Sequence, residues 1–137
     1  MTFTSAEGDA LLADNFAPWV RDLGLVVTDV GTGAATLRLP WSDRLAREGG
    51  ALSGQALMAA ADTATVIAIA SARGGFVPMT TVQMSTSFQR PIVGADVLVT
   101  ARLTKLGRTL AFAEIAMTPI GGDTPAATAT TVYAVLG

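Results

Sequence analysis

The sequence predicts an α+β fold in which a curved antiparallel sheet wraps one long central helix. Three features of the chain lead there. The stretch from Ser53 to Ala72 is apolar on nearly every side and carries a single charge, Asp62, near its middle. Two β segments precede it, and four follow it, joined by short turns. At 137 residues, half of them hydrophobic, the chain is one domain, 1–137, with enough apolar material to bury a core. A helix that is hydrophobic all round belongs inside a protein or a membrane. One of about 20 residues is roughly 30 Å long and can lie along the concave face of such a sheet.

The N-terminal segment, residues 1–23, contains a helical pattern from Ala6 to Leu23. Ala10, Leu11, Phe16, Trp19, Val20 and Leu23 form its apolar stripe, and Glu7, Asp9, Asp14 and Arg21 are left for water. Pro18 interrupts the stripe, so a kink or two short pieces is expected. Leu25–Gly31 and Ala34–Leu39 read as two strands joined by Gly31-Thr32-Gly33, and Pro40 ends the second. No helix follows that glycine pair, so it is a turn and not a phosphate loop. Trp41 to Leu52 is a polar loop, long enough to suggest a functional role.

The central helix, residues 53–73, takes Ser53 as N-cap. It stops at Arg73-Gly74-Gly75, a cation in the last turn followed by glycines. Beyond it, Met79–Gln89 sets Val82, Met84 and Phe88 against Thr, Gln and Ser. Asp96–Leu106 alternates Val97, Val99, Ala101 and Leu103 with Leu98, Thr100, Arg102 and Thr104. Thr109–Thr118 and Pro125–Leu136 complete the strands. Short connections between consecutive strands imply antiparallel pairing.

Composition excludes several chemistries. There is no histidine, so a Ser-His-Asp triad and His-ligated zinc or iron are ruled out. There is no cysteine, so disulfides, thiolate metal sites and cysteine nucleophiles are ruled out as well. No metal site and no cofactor are predicted. Nine basic residues are spread without a run and the net charge is −2, which argues against a nucleic-acid partner. Residues 1–7 lack a basic region followed by an apolar core, so no signal peptide is expected and a cytoplasmic location is the default. Only 15% of residues are charged, against about 25% in an average soluble domain. Such a surface is expected to be covered in part by copies of itself, in a homodimer or homotetramer.

Asp62 is the residue that demands an explanation, because Asp is a poor mid-helix residue and a buried carboxylate is costly. A membrane span is not the reason: Gln55, Asp62, Thr63, Thr65 and Ser71 interrupt the stretch, and alanine hardly offsets a central Asp. Two readings stay open. Asp62 is structural, satisfied by an arginine or by backbone donors, or it is functional, a general base or nucleophile.

The stretch Gly49-Gly50-Ala51-Leu52-Ser53-Gly54-Gln55-Ala56-Leu57-Met58-Ala59-Ala60-Ala61-Asp62 resembles the active-site segment of hotdog-fold acyl-CoA thioesterases, nearest the phenylacetate-degradation (PaaI-like) type. In that family a His-Gly-Gly-Ala-Leu stretch caps the central helix, and a catalytic Asp or Glu lies nine residues after the histidine. Asp62 lies nine residues after Ser53. Phe88-Gln89-Arg90-Pro91 and Leu106-Gly107-Arg108-Thr109 are similar to the family's strand end and its Gly-Arg hairpin, and the element order agrees over residues 20 to 136.

The resemblance implies a hotdog fold and hydrolysis of an acyl-CoA thioester, with coenzyme A as part of the substrate. It implies that Asp62 is the general base or nucleophile and that the Gly54 N–H polarises the carbonyl. The physics of helix starts agrees with the second role, since those N–H groups lack intrahelical partners. Along one helix the two residues are about 12 Å apart, and in the family the site forms between two subunits. Ser53 stands where the family has histidine, Gln55 where it has a second glycine, and Arg47 where it has asparagine. Thr81, with Thr80 beside it, matches the hydroxyl that positions water. Arg90, Arg108, Arg44 and Lys105 either meet coenzyme A phosphates or remain solvated charges. A non-catalytic or weakly active binder of acyl-CoA or another small acyl ligand is the alternative, favoured by Ser53, Gln55 and Arg47.

Overall fold

The computed structural model describes residues 2–136. Helices α1 (Ser5–Asn15) and α2 (Pro18–Arg21) come first. Strands β1 (Val26–Gly31) and β2 (Ala34–Leu39), the long helix α3 (Gly54–Arg73), and strands β3 (Met79–Phe88), β4 (Val97–Leu106), β5 (Leu110–Pro119) and β6 (Ala127–Val135) follow. The strands form one sheet in the order β1-β2-β4-β5-β6-β3, antiparallel at every step. Helix α3 packs against all six, as the α+β reading expects.

The expected first helix is two pieces. A capping box starts α1: the Thr4 hydroxyl accepts from the Glu7 N–H (3.1 Å) and the Glu7 carboxylate accepts from the Thr4 N–H (3.0 Å). Pro18 then opens α2 at its first position, where its missing N–H costs nothing. The break changes the helical phase. Leu11, Leu12 and Leu23 are buried, whereas Ala10 is exposed and Trp19, expected in the apolar stripe, is 62% exposed. Asp9, expected to face water alone, accepts a hydrogen bond from the Val27 N–H at 2.8 Å and fastens α1 to the edge strand.

The polar loop after β2 is tighter than its length suggests. It contains a 3-10 turn (Asp43–Leu45), and the Arg47 N–H donates to the Ala51 carbonyl at 2.7 Å. Gly49 and Gly50 make the reversal with φ of 92° and 87°, a region that disfavours side chains. The loop delivers the chain to Ser53, whose hydroxyl caps α3 by accepting from the Ala56 N–H at 3.2 Å. Gly74 ends the helix with φ 80°, and its N–H donates to the Ala70 carbonyl.

Alanine dominates α3 for a packing reason. Ala60, Ala61, Ala64, Ala68 and Ala70 are wholly buried, and their small side chains let the sheet approach closely. Ile67 and Ile69 fill the space that remains, each contributing on the order of 1.5–3 kcal/mol by burial. Thr63 and Thr65 satisfy their hydroxyls by donating to the Ala59 and Ala61 carbonyls. By length and hydropathy this helix passes for a membrane span, but two thirds of that window is buried inside the fold.

Strand β3 departs from the alternation read in the sequence. It does not pair with β4, its neighbour in the chain, but with β6, and it forms an edge of the sheet. The register slips between Thr81 and Gln83, so Val82 is an extra residue in a β-bulge. Before the bulge, Met79 and Thr81 lie opposite the inward Val135 and Tyr133. After it, Met84, Thr86 and Phe88 lie opposite the inward Thr131, Ala129 and Ala127. Val82, expected to share a face with Met84 and Phe88, is instead 58% exposed. A strict period of two across ten residues cannot place both Thr81 and Phe88 on the helix side; the bulge does.

Candidate active site

Thr81 and Tyr133 are direct cross-strand partners, and both turn towards α3 at the level of Asp62. The Thr81 hydroxyl donates to Asp62 Oδ1 at 2.8 Å. The Tyr133 hydroxyl lies 2.5 Å from the same Oδ1 and 3.0 Å from the Asp62 main-chain carbonyl oxygen. A phenol has one proton, and the shorter contact to the charged oxygen is the stronger acceptor. Both donors therefore converge on Oδ1. Among the described residues no donor reaches Oδ2, and no Lys or Arg pairs with Asp62. The carboxylate is half-buried, held by two hydroxyls and by no cation.

Tyr133 itself is buried. Its burial, then the nearby Asp62 charge and the hydrogen bond to it, raise the phenol's pKa far above its ordinary value near 10, so it is a permanent donor at neutral pH. Tyr133 is not among the site residues expected from the sequence. It is the chain's single tyrosine, and an aromatic within a buried strand reads as core. The pairing with Thr81, which gives it a function, is visible only once β3 is docked on β6.

The start of α3 is the second feature. Gly54 is the first helical residue, and its N–H has no intrahelical acceptor. The Phe88 ring lies against it: a Cβ added at Gly54 would stand 3.2 Å from Phe88 Cζ. The Ser53 hydroxyl is occupied with the cap. Gln55 is exposed and, with Ser53, Trp19, Ser42 and Arg44, lines a cleft of about 280 Å³ beside the helix start. A larger depression of about 490 Å³ lies on the opposite face of the sheet, between Ser85, Arg102, Glu114 and Thr130, and takes no residue from α3.

The arginines are divided between the two ends of the helix. Arg90 follows Phe88 at the Gly54 end, where its guanidinium donates to the Thr124 hydroxyl at 2.5 Å. Arg47 stands in the loop before Ser53 and donates to the neighbouring Glu48 carbonyl at 2.8 Å. Arg108 belongs to the β4–β5 turn at the far end, where Arg73 reaches its carbonyl. Among the described residues the one ion pair joins Arg38 to Asp96, so Arg44, Arg47, Arg90 and Arg108 have no carboxylate partner. Also among these residues, no group of three or more Asp and Glu is placed to hold a metal ion.

Comparison with known proteins adds the following. Residues 49–126, which span the helix start, Asp62 and strands β3 to β5, match the family model described as the thioesterase superfamily. A solved structure from Silicibacter sp., titled as a candidate thioesterase, is 31% identical, covers 98% of this chain and 93% of that one, and superposes with a TM-score of 0.87. A variant of the phenylacetic acid degradation protein PaaI from Thermus thermophilus is 26% identical over 88% of this chain and all of that one (100%), with a TM-score of 0.77. A hypothetical thioesterase from Streptococcus pneumoniae, solved with coenzyme A, is 16% identical over 82% of this chain and 86% of that one, with a TM-score of 0.75; at that identity the likeness is one of fold.

Proposed function

The chain belongs to the thioesterase superfamily, its sheet-wrapped helix being the hotdog fold of PaaI-type relatives, and from this premise we propose that it hydrolyses an acyl-CoA thioester with Asp62 as the base. The observation that carries the reading is the Asp62 carboxylate: two hydroxyls fix Oδ1 and leave Oδ2 uncommitted on the inner side of the sheet. In the proposed reaction Oδ2 takes a proton from water as the water oxygen bonds to the acyl carbon. The negative charge that develops on the carbonyl oxygen is met by the Gly54 N–H at the positive end of α3. The C–S bond then breaks, the thiolate recovers a proton, and the products are the free acid and coenzyme A. Attack by Asp62 itself, through an anhydride that water then opens, uses the same atoms.

Gly54 and Asp62 of one copy are about 12 Å apart along the helix and cannot both serve one carbonyl. We therefore assign the site to a homodimer, in which the Gly54 N–H of one subunit faces Asp62 of its partner. Support comes from β3, an edge strand with exposed apolar Val82 and Phe88, next to the helix that carries both groups. Edge strands of this kind are rarely left bare. Unpaired Arg90 and Arg47, both near the Gly54 end, suit the phosphates of coenzyme A, and exposed Gln55 suits the pantetheine amides.

A second reading has its own support. The Ser53 hydroxyl is committed to the helix cap and one Arg47 N–H to the Glu48 carbonyl, so two positions that contact substrate in the family reading are at least partly engaged internally. On that reading the protein binds acyl-CoA without turning it over. A panel of short-chain, long-chain and aryl acyl-CoAs separates the two. Hydrolysis is expected to release free thiol catalytically from at least one member; saturable binding of several members with no thiol release supports the binder instead.

A further inference from the structure

Tyr133 takes no part in the proposed bond changes; its contact is with the base alone. A buried phenol 2.5 Å from a carboxylate oxygen is a short, charge-assisted hydrogen bond. Tyr133 and Thr81 are rooted in adjacent strands, β6 and β3, and both reach the same oxygen from the sheet side. Two donors on one oxygen fix the plane of a carboxylate, which one donor would leave free to turn about its Cβ–Cγ bond. They also select which oxygen remains available. A second hydroxyl pair, Thr65 to Thr131 at 3.0 Å, ties α3 to β6 one turn away, so the frame that carries Tyr133 is itself fixed to the helix.

We propose that Tyr133 is a positioning residue: with Thr81 it clamps Oδ1 of Asp62, so that Oδ2 is held as the single oxygen that meets the attacking water. The proposal rests on the hydrolytic reading above, since it concerns how the assigned base is aimed. The benefit of the clamp is geometric, since a base held in line avoids the loss that follows from a misplacement of about 1 Å, roughly 100-fold in rate.

The test compares wild type, Tyr133→Phe, Thr81→Val and Asp62→Asn on whichever acyl-CoA the protein hydrolyses best. Phenylalanine keeps the ring and removes only the oxygen. Tyr133→Phe is expected to lower kcat roughly 10- to 100-fold with KM changed by less than about twofold, the pattern of lost alignment and not of lost binding. The melting temperature should fall by several degrees, as loss of one charge-assisted hydrogen bond brings, with the fold retained at assay temperature. Thr81→Val is expected to lower kcat in the same direction, and the double variant to lose less than the product of the two, because the second donor can only aim what the first still holds.

An unchanged kcat in Tyr133→Phe, with Asp62→Asn inactive, overturns the clamp and leaves the hydrolytic reading intact. A fully active Asp62→Asn overturns both. A rise in KM at constant kcat makes Tyr133 a wall of the binding site and also overturns the clamp. Because the chain has one tyrosine, the pH-dependent rise in absorbance at 295 nm reports this phenol, over the constant background of the two tryptophans. Burial first, and then Asp62, the carboxylate it meets, hold its ionisation back, so the rise in absorbance should begin at lower pH in folded Asp62→Asn, which keeps only the burial, than in wild type. Identical onsets while circular dichroism shows both proteins still folded would show that the contact is not made.

Discussion

Gly54 and Asp62 are each unusual for their place in a helix, and each is explained by what stands opposite. At Gly54 the neighbour is the Phe88 ring, close enough that an added Cβ would press on it at 3.2 Å. The backbone there needs no glycine, since its φ is not in the left-handed region. Alanine should therefore support the helix at least as well, by up to about 1 kcal/mol, while the displaced ring narrows access to the N–H. Gly54→Ala keeps the N–H and is expected to keep or raise the melting temperature, but to lower thiol release by roughly tenfold, because the Cβ and the displaced Phe88 ring stand where the carbonyl must approach. A variant as fast as wild type would separate Gly54 from the chemistry.

Much of this was legible in the residues themselves. A lone Asp in an alanine-rich helix, nine residues after its N-cap, marks its position without a structure, and so does a glycine just inside the helix start. Tyr133 was not legible, because nothing in Thr131-Val132-Tyr133-Ala134 distinguishes a phenol that bonds a carboxylate from one that fills a core. Trp19 was misplaced because Pro18 resets the helical phase, and a stripe read through a proline inherits the wrong phase.

At the scale of elements, the bulge at Val82 is the device that lets one strand face both Asp62 and Gly54 of the same helix. It turns Thr81 towards Asp62 and, seven residues on, Phe88 towards Gly54. Alternation in sequence could not reveal it, since a bulge is one residue with no partner and no required side chain. The pairing of β3 with β6 was hidden for a related reason: short connections favour neighbours, but the chain here crosses from the sheet's edge to its centre between β3 and β4. The junction of β2 and β4 is fixed by Asp96. Its carboxylate accepts from the Trp41 N–H at 2.7 Å and from Arg38 Nε at 2.8 Å, and these bonds hold its pKa below the ordinary carboxylate value. A carboxylate depressed in the folded state stabilises above its unfolded pKa, near 4, and that stabilisation is lost as pH falls through its folded value. The melting temperature of Asp96→Asn should therefore lie below that of wild type at pH 6–7, and the gap should close as pH falls below about 4. A gap that persists undiminished at low pH would mean that the ionised form of Asp96 contributes nothing.

For the whole molecule, the account depends on a second copy. Low charge density, the bare apolar edge of β3 and the separation of Gly54 from Asp62 along one helix each point the same way. Val82 lies on that edge and touches neither group. Val82→Glu would place a charge on the apolar edge where a second copy is proposed to dock. It is expected to shift the protein to monomer in sedimentation and to abolish thiol release in proportion; a monomer with full activity would place the whole site within one chain.

The catalytic expectations hang on the carboxylate that the two hydroxyls hold. The most direct measurement is the rate of thiol release from acyl-CoA by Asp62→Asn, made on protein whose melting temperature and sedimentation match wild type. Asparagine keeps the shape and removes the charge and the basicity. The account predicts a fall in turnover of roughly 100-fold or more, the scale of a lost general base; turnover equal to that of wild type would contradict it.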